Sequence, residues 1–450
     1  MEWRINLKIK FILIILLFSI TGMGGSAFAQ QKPNIVLILS DDHAWNDYSF
    51  MGHPDVKTPR IDELAARGVL FRRGYVPTGL CRPSLMTLAT GQYASDHGVT
   101  GNDPNPITLA RKAEMITFVE KFETLPELLA EQGYLSHQSG KWWEGSYQHG
   151  GFTHGMTRGF PEEGGRHGDD GLAIGREGME PVTDFVDMAV EQDKPFFLWY
   201  APFLPHSPHN PPDRLLKKYL KEGRSVHIAQ YYAMIEWFDE TNGQLIDYID
   251  KKGLTDNTLF IYVADNGWIQ SEDNKGFALR SKQTSYEAGV RTPIFFTWGE
   301  KLKTADRPEL VSSIDLFPTM LAVAGARTPE GIPGLNILPN LTSGEEITRK
   351  AIFGESFAHD VVELDNPEAT LLYRWVIEGK WKLLLTYDGT VSRNQTVHPR
   401  TEKRPQLYDL IADPYENNNL AKDNPDIVAK MAKQISDWKP LKQAKTITTW

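Results

Sequence analysis

Only one cysteine, Cys81, occurs in 450 residues, so no intramolecular disulfide can form. Outside the N-terminus no segment approaches the roughly 18 consecutive apolar residues of a membrane-spanning helix. Internal repeats and low-complexity tracts are also lacking, which excludes solenoids and tandem arrays. Basic residues are in the minority, 48 Lys and Arg against 58 Asp and Glu, for a net charge of −10. An acidic chain repels nucleic acid and anionic membranes at long range, so neither is expected as a partner. An anionic substrate would have to be met by local cations or a metal.

What is present begins with an export signal. Arg4, Lys8 and Lys10 form a basic stretch, residues 11–23 an apolar run, and Ala27, Phe28 and Ala29 a small-residue cleavage site. Residues 1–29 therefore read as a signal peptide, and the mature protein is expected in the periplasm or secreted. Removing three basic residues and one acid leaves −10 − (+2) = −12. Gln30 rather than cysteine follows, so lipid attachment has no support. A lone thiol in an exported chain asks for a chemical reason.

The remaining residues, about 420, exceed one ordinary core, and a large domain with a smaller one is expected. The apolar, β-branched run 34–39 has the character of a buried strand and ends at Ser40, Asp41 and Asp42. Further strands are expected at 135–139, 196–200, 259–264 and 293–297. Helices at 59–68, capped by Thr58, and at 124–133, 181–190 and 227–249 alternate with them. That alternation argues an α/β fold with a largely parallel sheet covered on both faces. Carboxylates directly after such strands sit at the carboxyl edge, where open α/β sheets place ligands. Residues 144–178, rich in Gly, His, Arg and Asp, have no sustained period and read as a functional or mobile segment. After loop-like text at 334–346, short strands at Ile352, 372–377 and 381–385 and a helix at 425–438 are expected. The division is thus a large α/β domain at 30–345, which carries the ligand edge, and a C-terminal α+β subdomain at 346–450 with a short antiparallel sheet.

The string at 79–91, GLCRPSLMTLATG, resembles the signature of the sulfatase family, a CxPSR core followed by a short helix and TG. Cys81, Pro83, Ser84, Thr90 and Gly91 match, whereas Leu85 stands where the family carries arginine. Paired aspartates after a strand (Asp41, Asp42), a DNG motif (Asp265, Asn266, Gly267), a KxTxYE stretch leading to GVRTP (282–293) and LYDL…DPxExxNL (407–420) follow in the family's order. The resemblance implies an alkaline-phosphatase-like fold and oxidation of Cys81 to formylglycine by a formylglycine-generating maturation enzyme. The hydrate of that aldehyde would attack sulfur.

The residues also carry their own logic. Carboxylates and an amide oxygen at strand ends form a hard oxygen cage suited to Ca²⁺, with Mg²⁺ as the second choice. Asp41, Asp42, Asp265 and Asn266 are the expected metal ligands, with residue 81 completing the shell. Read alone, each pair is better explained as turn residues and strand-end caps; their order with the cysteine string reverses that. The resemblance makes Lys141 and Lys282 sulfate-gripping cations. It makes His206 the proton donor to the leaving oxygen, with His209 a nearby competitor. His97 is expected to orient a neighbour. Trp143 stands where the family carries histidine, and offers a flat face for a sugar ring. Cationic roles missing at Leu85 and Trp143 are expected to move to His154, Arg166, His167 and Arg176, with Arg166 and His167 binding substrate. Twelve tryptophans and export point to a sulfated carbohydrate. Two alternatives stay open: a phosphomonoester or phosphonate hydrolase of the same fold, and a non-catalytic binder of sulfated glycans.

Overall fold

The computed structural model describes residues 32–165, 168–398 and 402–447. The expected signal peptide, Arg166 and His167 lie outside the described residues. The first strand, β1 (Asn34–Ser40), is buried along its whole length, and its side chains alternate between two cores. Ile35, Leu37 and Leu39 enter one apolar cluster, Val36 and Ile38 the other. A period of two with both faces apolar is what a central strand needs.

In chain order the other strands of this half are β2 (Val69–Tyr75), β3 (Asp103–Pro104), β4 (Leu135–Gly140), β5 (His154–Gly155) and β6 (Phe196–Ala201). They are followed by β7 (Thr258–Ala264), β8 (Arg291–Thr297), β9 (Ala305–Arg307) and β10 (Val311–Ser312). The main sheet runs β10-β2-β8-β7-β1-β6-β4-β5, with β9 also paired to β2. The block β7-β1-β6-β4-β5 is parallel, while β8 is antiparallel to both its neighbours. Helices Pro59–Ala66, Glu180–Glu191 and Val226–Lys251 supply apolar residues to one face. Helices Cys81–Thr90, Leu125–Ala130 and Leu316–Ala324 supply the other. Thr58 stands at the cap position of Pro59–Ala66 but makes no side-chain cap bond. Its hydroxyl donates instead to Asp62 Oδ1 at 2.7 Å, and the helix's free N–H groups at Arg60 and Ile61 donate to Asp239.

The C-terminal part forms a second, four-stranded antiparallel sheet. The strands of this part are β11 (Ala351–Phe357), β12 (Asp360–Val361), β13 (Leu371–Glu378), β14 (Trp381–Thr386) and β15 (Gln406–Asp409), and the sheet is made of four of them in the order β11-β13-β14-β15. Strand β12 leaves that sheet and pairs with β3. The helix Pro425–Trp438 packs Val428, Met431 and Ile435 against the sheet. The two sheets meet across a fully buried Lys382, whose Nζ lies 3.0 Å from Glu287 and 3.0 Å from Glu416. Among the described residues no helix is long and apolar enough to cross a membrane.

Candidate active site

Because β1, β4, β6 and β7 are parallel, the residues that follow them gather at one edge. Asp41 and Asp42 follow β1, Lys141 follows β4, His206 lies five residues beyond β6, and Asp265 follows β7. Antiparallel β8 starts at the same edge, which brings in Lys282 from the segment before it. The turn out of β4 requires glycine: Gly140 has φ of +86°, and a Cβ there would meet the Ala201 carbonyl oxygen at 1.8 Å. Lys141 then donates its N–H to that same carbonyl at 2.8 Å.

The resulting cluster is buried and heavily charged. Lys141 Nζ lies 2.6 Å from Asp41 Oδ1 and 3.6 Å from Asp265 Oδ2. Lys282 Nζ pairs with Asp42 at 2.6 Å, and His206 Nε2 lies 3.3 Å from Asp42 Oδ2. Asp42 takes a left-handed φ of +62°, with its N–H donating to Asp265 Oδ1 at 3.0 Å. Such backbone strain persists where surrounding contacts fix it. Asn266 Nδ2 donates to Asp42 Oδ1 at 2.7 Å. Cys81 opens the helix Cys81–Thr90, two residues earlier than Pro83, and its Sγ lies 3.7 Å from Asp42 Oδ1.

Two ammonium groups facing three carboxylates leave the cluster one charge short of balance. Asp41 bears the deficit. Burial raises its carboxyl well above the usual range; Lys141 opposes this, while Asp265 and Asp42 add to it. Burial would raise Asp42 as well, but Lys282, His206 and Lys141 overcome it and hold that carboxyl well below its ordinary value. The Cys81 thiol is pushed up by burial and by Asp265, against the two lysines, so it rests as a thiol rather than a thiolate. Burial lowers His206 well below its usual range, with Asp42 opposing. Its Nδ1 faces the Ser207 carbonyl at 2.6 Å. A carbonyl only accepts, so Nδ1 carries the hydrogen and Nε2 is the atom left for proton exchange.

Three oxygens in this cluster are buried and have no hydrogen-bond partner: Asp41 Oδ2, Asp265 Oδ2 and Asn266 Oδ1. Orphaned buried acceptors are costly. Hard oxygens beside a net negative charge are the donor set of a divalent cation, so these residues fit one. Ligand atoms of Asp41, Asp42, Cys81 and His206 also lie within 4.8 Å of one another.

The structure thus brings together Asp41, Asp42, Cys81, Lys141, His206, Asp265, Asn266 and Lys282. Trp143 borders them, its ring 5.2 Å from Lys141 Nζ. His209 packs its ring 5.4 Å from Tyr231 and 5.9 Å from Trp268; burial lowers its pKa, and the Asp42 charge reaches it in opposition. His97 Nδ1 accepts from Val99 N, and its Nε2 faces Thr87 in the cysteine helix. Leu85 joins the apolar core and supplies nothing polar. Of the expected replacement cations, His154 turns to Thr153 and Phe185 instead. Arg176 donates to the carbonyls of Phe203 and His206, at 2.6 and 3.2 Å, and so braces the His206 loop, while burial lowers its pKa and the Asp41 charge opposes that. One residue was not anticipated. Arg82, next to Cys81, forms a buried two-pronged pair with Glu144 at 2.7 Å for each bond, tying the cysteine helix to the loop that carries Lys141 and Trp143. Nothing local in the sequence marks two charges 62 positions apart as partners.

Against this geometry, the family model described as sulfatase matches residues 33–326. The chain belongs to the sulfatase family. A model described as the C-terminal region of N-sulphoglucosamine sulphohydrolase matches residues 276–440 of this sulfatase. Arylsulfatase A of Bos taurus is 30% identical, over 90% of this chain and 86% of its own. An N-acetylgalactosamine-6-O-sulfatase of Bacteroides thetaiotaomicron is 25% identical, over 91% of this chain and 93% of its own. The crystal structure of Ps i-CgsB in complex with k-i-k-neocarrahexaose superposes with a TM-score of 0.71 at 25% identity, covering 91% of this chain and 93% of that one. The sulfatase has the alkaline-phosphatase-like α/β fold, and it is a sulfuric ester hydrolase. That activity sets aside the reading as a binder without turnover.

Proposed function

We propose that this sulfatase is exported and cleaves the sulfate ester of a sulfated carbohydrate, using a calcium ion and formylglycine made from Cys81 by a maturation enzyme. The observation that carries the reading is the buried edge cluster, in which Cys81 faces paired lysines and three orphaned oxygens. Asp41, Asp42, Asp265 and Asn266 would hold the cation. When present, the cation would supply Lewis-acid polarisation of a sulfate oxygen, and the modified residue 81 a hydroxyl nucleophile.

The chain's own side chains do the rest. Lys141 and Lys282 pair with the carboxylates that a cation would engage, which leaves their ammonium groups for the sulfate oxygens, where charge grows as the ester bond breaks. His206 moves a proton at Nε2: with Nδ1 held by Ser207, a proton taken up there is stabilised by Asp42 and passed to the departing alkoxide. Trp143, beside Lys141, gives the sugar ring a flat apolar face. The sugar-sulfate assignment is supported by the N-acetylgalactosamine-6-O-sulfatase relative and the structural neighbour in complex with k-i-k-neocarrahexaose.

The test is release of inorganic sulfate from monosulfated sugars by the wild type and Cys81→Ala. Turnover by the wild type, lost by several orders of magnitude in the variant, is expected. Full activity in Cys81→Ala, or release of phosphate but not sulfate from matched esters, would overturn the proposal.

A further inference from the structure

Beside the reaction centre lies a second polar cluster that the catalytic account leaves unused. Strands β3 and β12 pair in parallel, placing Asp360 opposite Asp103. Backbone bonds from Asn102 N to the His359 carbonyl and from Asn105 N to the Val361 carbonyl, both 2.8 Å, fasten the two segments. Ligand atoms of Asp103, His359 and Asp360 lie within 4.8 Å of one another. His359 Nδ1 faces Asp360 Oδ1 at 2.6 Å, and the Arg393 guanidinium reaches Asp360 at 2.9 Å and Asp103 at 3.6 Å. A core ion pair would be sealed from solvent. Here the Arg393 side chain is 41% exposed.

Each end of the cluster adjoins a residue of the reaction centre. Arg82, which follows Cys81, donates its N–H to Asn102 Oδ1 at 3.2 Å. Gln283, which follows Lys282, accepts from Asn394 at 3.5 Å. On the Asp103 side of the cluster lies a cavity of about 160 Å³, lined by Arg82, Asn102, Asp103, Lys112, Trp143 and Phe160 among others, so that Asp103 belongs to both cluster and cavity. Ordinary ligand pockets measure about 300–1,000 Å³, so this one holds a single ring rather than a chain. The cavity and the cluster that adjoins it at Asp103 have mixed chemistry. Two carboxylates accept hydroxyl hydrogens, Arg393 donates, and imidazole does either, next to an aromatic face. Arg393 and Lys112 balance the two acids, which argues against a metal ion and for an uncharged, hydroxyl-bearing ligand.

We propose that Asp103, His359, Asp360 and Arg393 form the subsite that binds the hydroxyl groups of the sulfated sugar ring, with Trp143 against its face. This deepens the sulfated-carbohydrate reading and rests on it.

The experiment compares kcat/KM on a monosulfated monosaccharide, such as the N-acetylgalactosamine 6-sulfate named for the Bacteroides relative, with that on nitrophenyl sulfate. Wild type, Asp103→Asn and His359→Gln are measured, with melting curves for each. The sugar-to-aryl ratio should fall at least about tenfold in both variants, about 1.4 kcal/mol, chiefly through KM. If Asp103→Asn fails to fold, His359→Gln, at the open side of the cluster, carries the test. Equal losses on both substrates, or an unchanged ratio, would overturn the subsite. Wild type that cleaves the aryl ester but no sugar sulfate would overturn it too while leaving the sulfatase chemistry standing. Cleavage of neither would remove the underlying reading instead.

Discussion

His206 and Lys282 share one carboxylate, Asp42, and that sharing gives each a different task. Lys282 is pushed up by Asp42 against burial and stays charged, whereas His206 is held down by burial. A ring that is neutral at rest but faces a carboxylate at Nε2 suits transient proton carriage better than permanent charge stabilisation. His206→Ala should therefore slow sugar sulfates, whose alkoxides leave poorly, by roughly 10² to 10⁴, and activated aryl sulfates far less. Rates on matched sugar and aryl esters check this, and equal loss on both would mean that the ring positions rather than donates. At this scale, Asp41 and Asp265 were legible because they directly follow apolar strands, with Asp42 one residue on, and Cys81 because it is the lone thiol; Lys141 follows a mostly polar strand and was marked by the resemblance. The Arg82–Glu144 pair and the brace from Arg176 to the His206 loop were not. Both depend on where irregular segments come to rest, which no local period encodes.

At the level of elements, β1, β6 and β7 could be read from short apolar runs, and the helix Pro425–Trp438 from its amphipathic spacing and first-turn proline, whereas β4, LSHQSG, is mostly polar. Strand β2 was missed because Arg72 and Arg73 interrupt its apolar residues; their half-buried side chains reach Phe50 and Gly379 at the sheet's margin. The antiparallel direction of β8 was also invisible, since a strand's sequence carries no sign for direction once both faces are covered. The helix Pro59–Ala66 shows how tertiary contact replaces a local cap. Asp239, from the helix Val226–Lys251, accepts the N–H groups of Arg60 and Ile61 at 3.0 and 2.8 Å. Burial raises its carboxyl to about 7, with those hydrogen bonds opposing. A raised folded-state value means the folded protein binds the extra proton. This contribution is then fully present below the unfolded carboxyl's range, near 4, and is lost as pH rises through about 7. At about 1.4 kcal/mol per unit it amounts to a few kcal/mol. Asp239→Asn should flatten the fall in denaturant-measured stability between those limits. A variant whose stability keeps the full wild-type slope would show that Asp239 is not the titrating group.

Taken whole, the molecule joins a parallel α/β half to a small antiparallel sheet through the buried Glu287–Lys382–Glu416 contact and through the β3–β12 pairing. The acid-rich edge lies where β1 and β7 of the parallel block end. Thorough chelation should lower the melting temperature and abolish turnover together, because it would leave three buried carboxylates sharing two lysines. Calcium should restore both better than zinc, the oxygen-rich donors being hard. An unchanged melting curve would remove the metal assignment. The α/β architecture and its ligand edge were readable from alternation alone. How β12 crosses back to meet β3 was not, since a two-residue pairing leaves no pattern in the sequence. The central claim, that residue 81 is the modified nucleophile of a sulfate ester hydrolase, is tested most directly by the mass of the peptide containing Cys81 from protein that is releasing sulfate. Sulfur replaced by an aldehyde oxygen at that position is the predicted result; an intact thiol in fully active protein would contradict it.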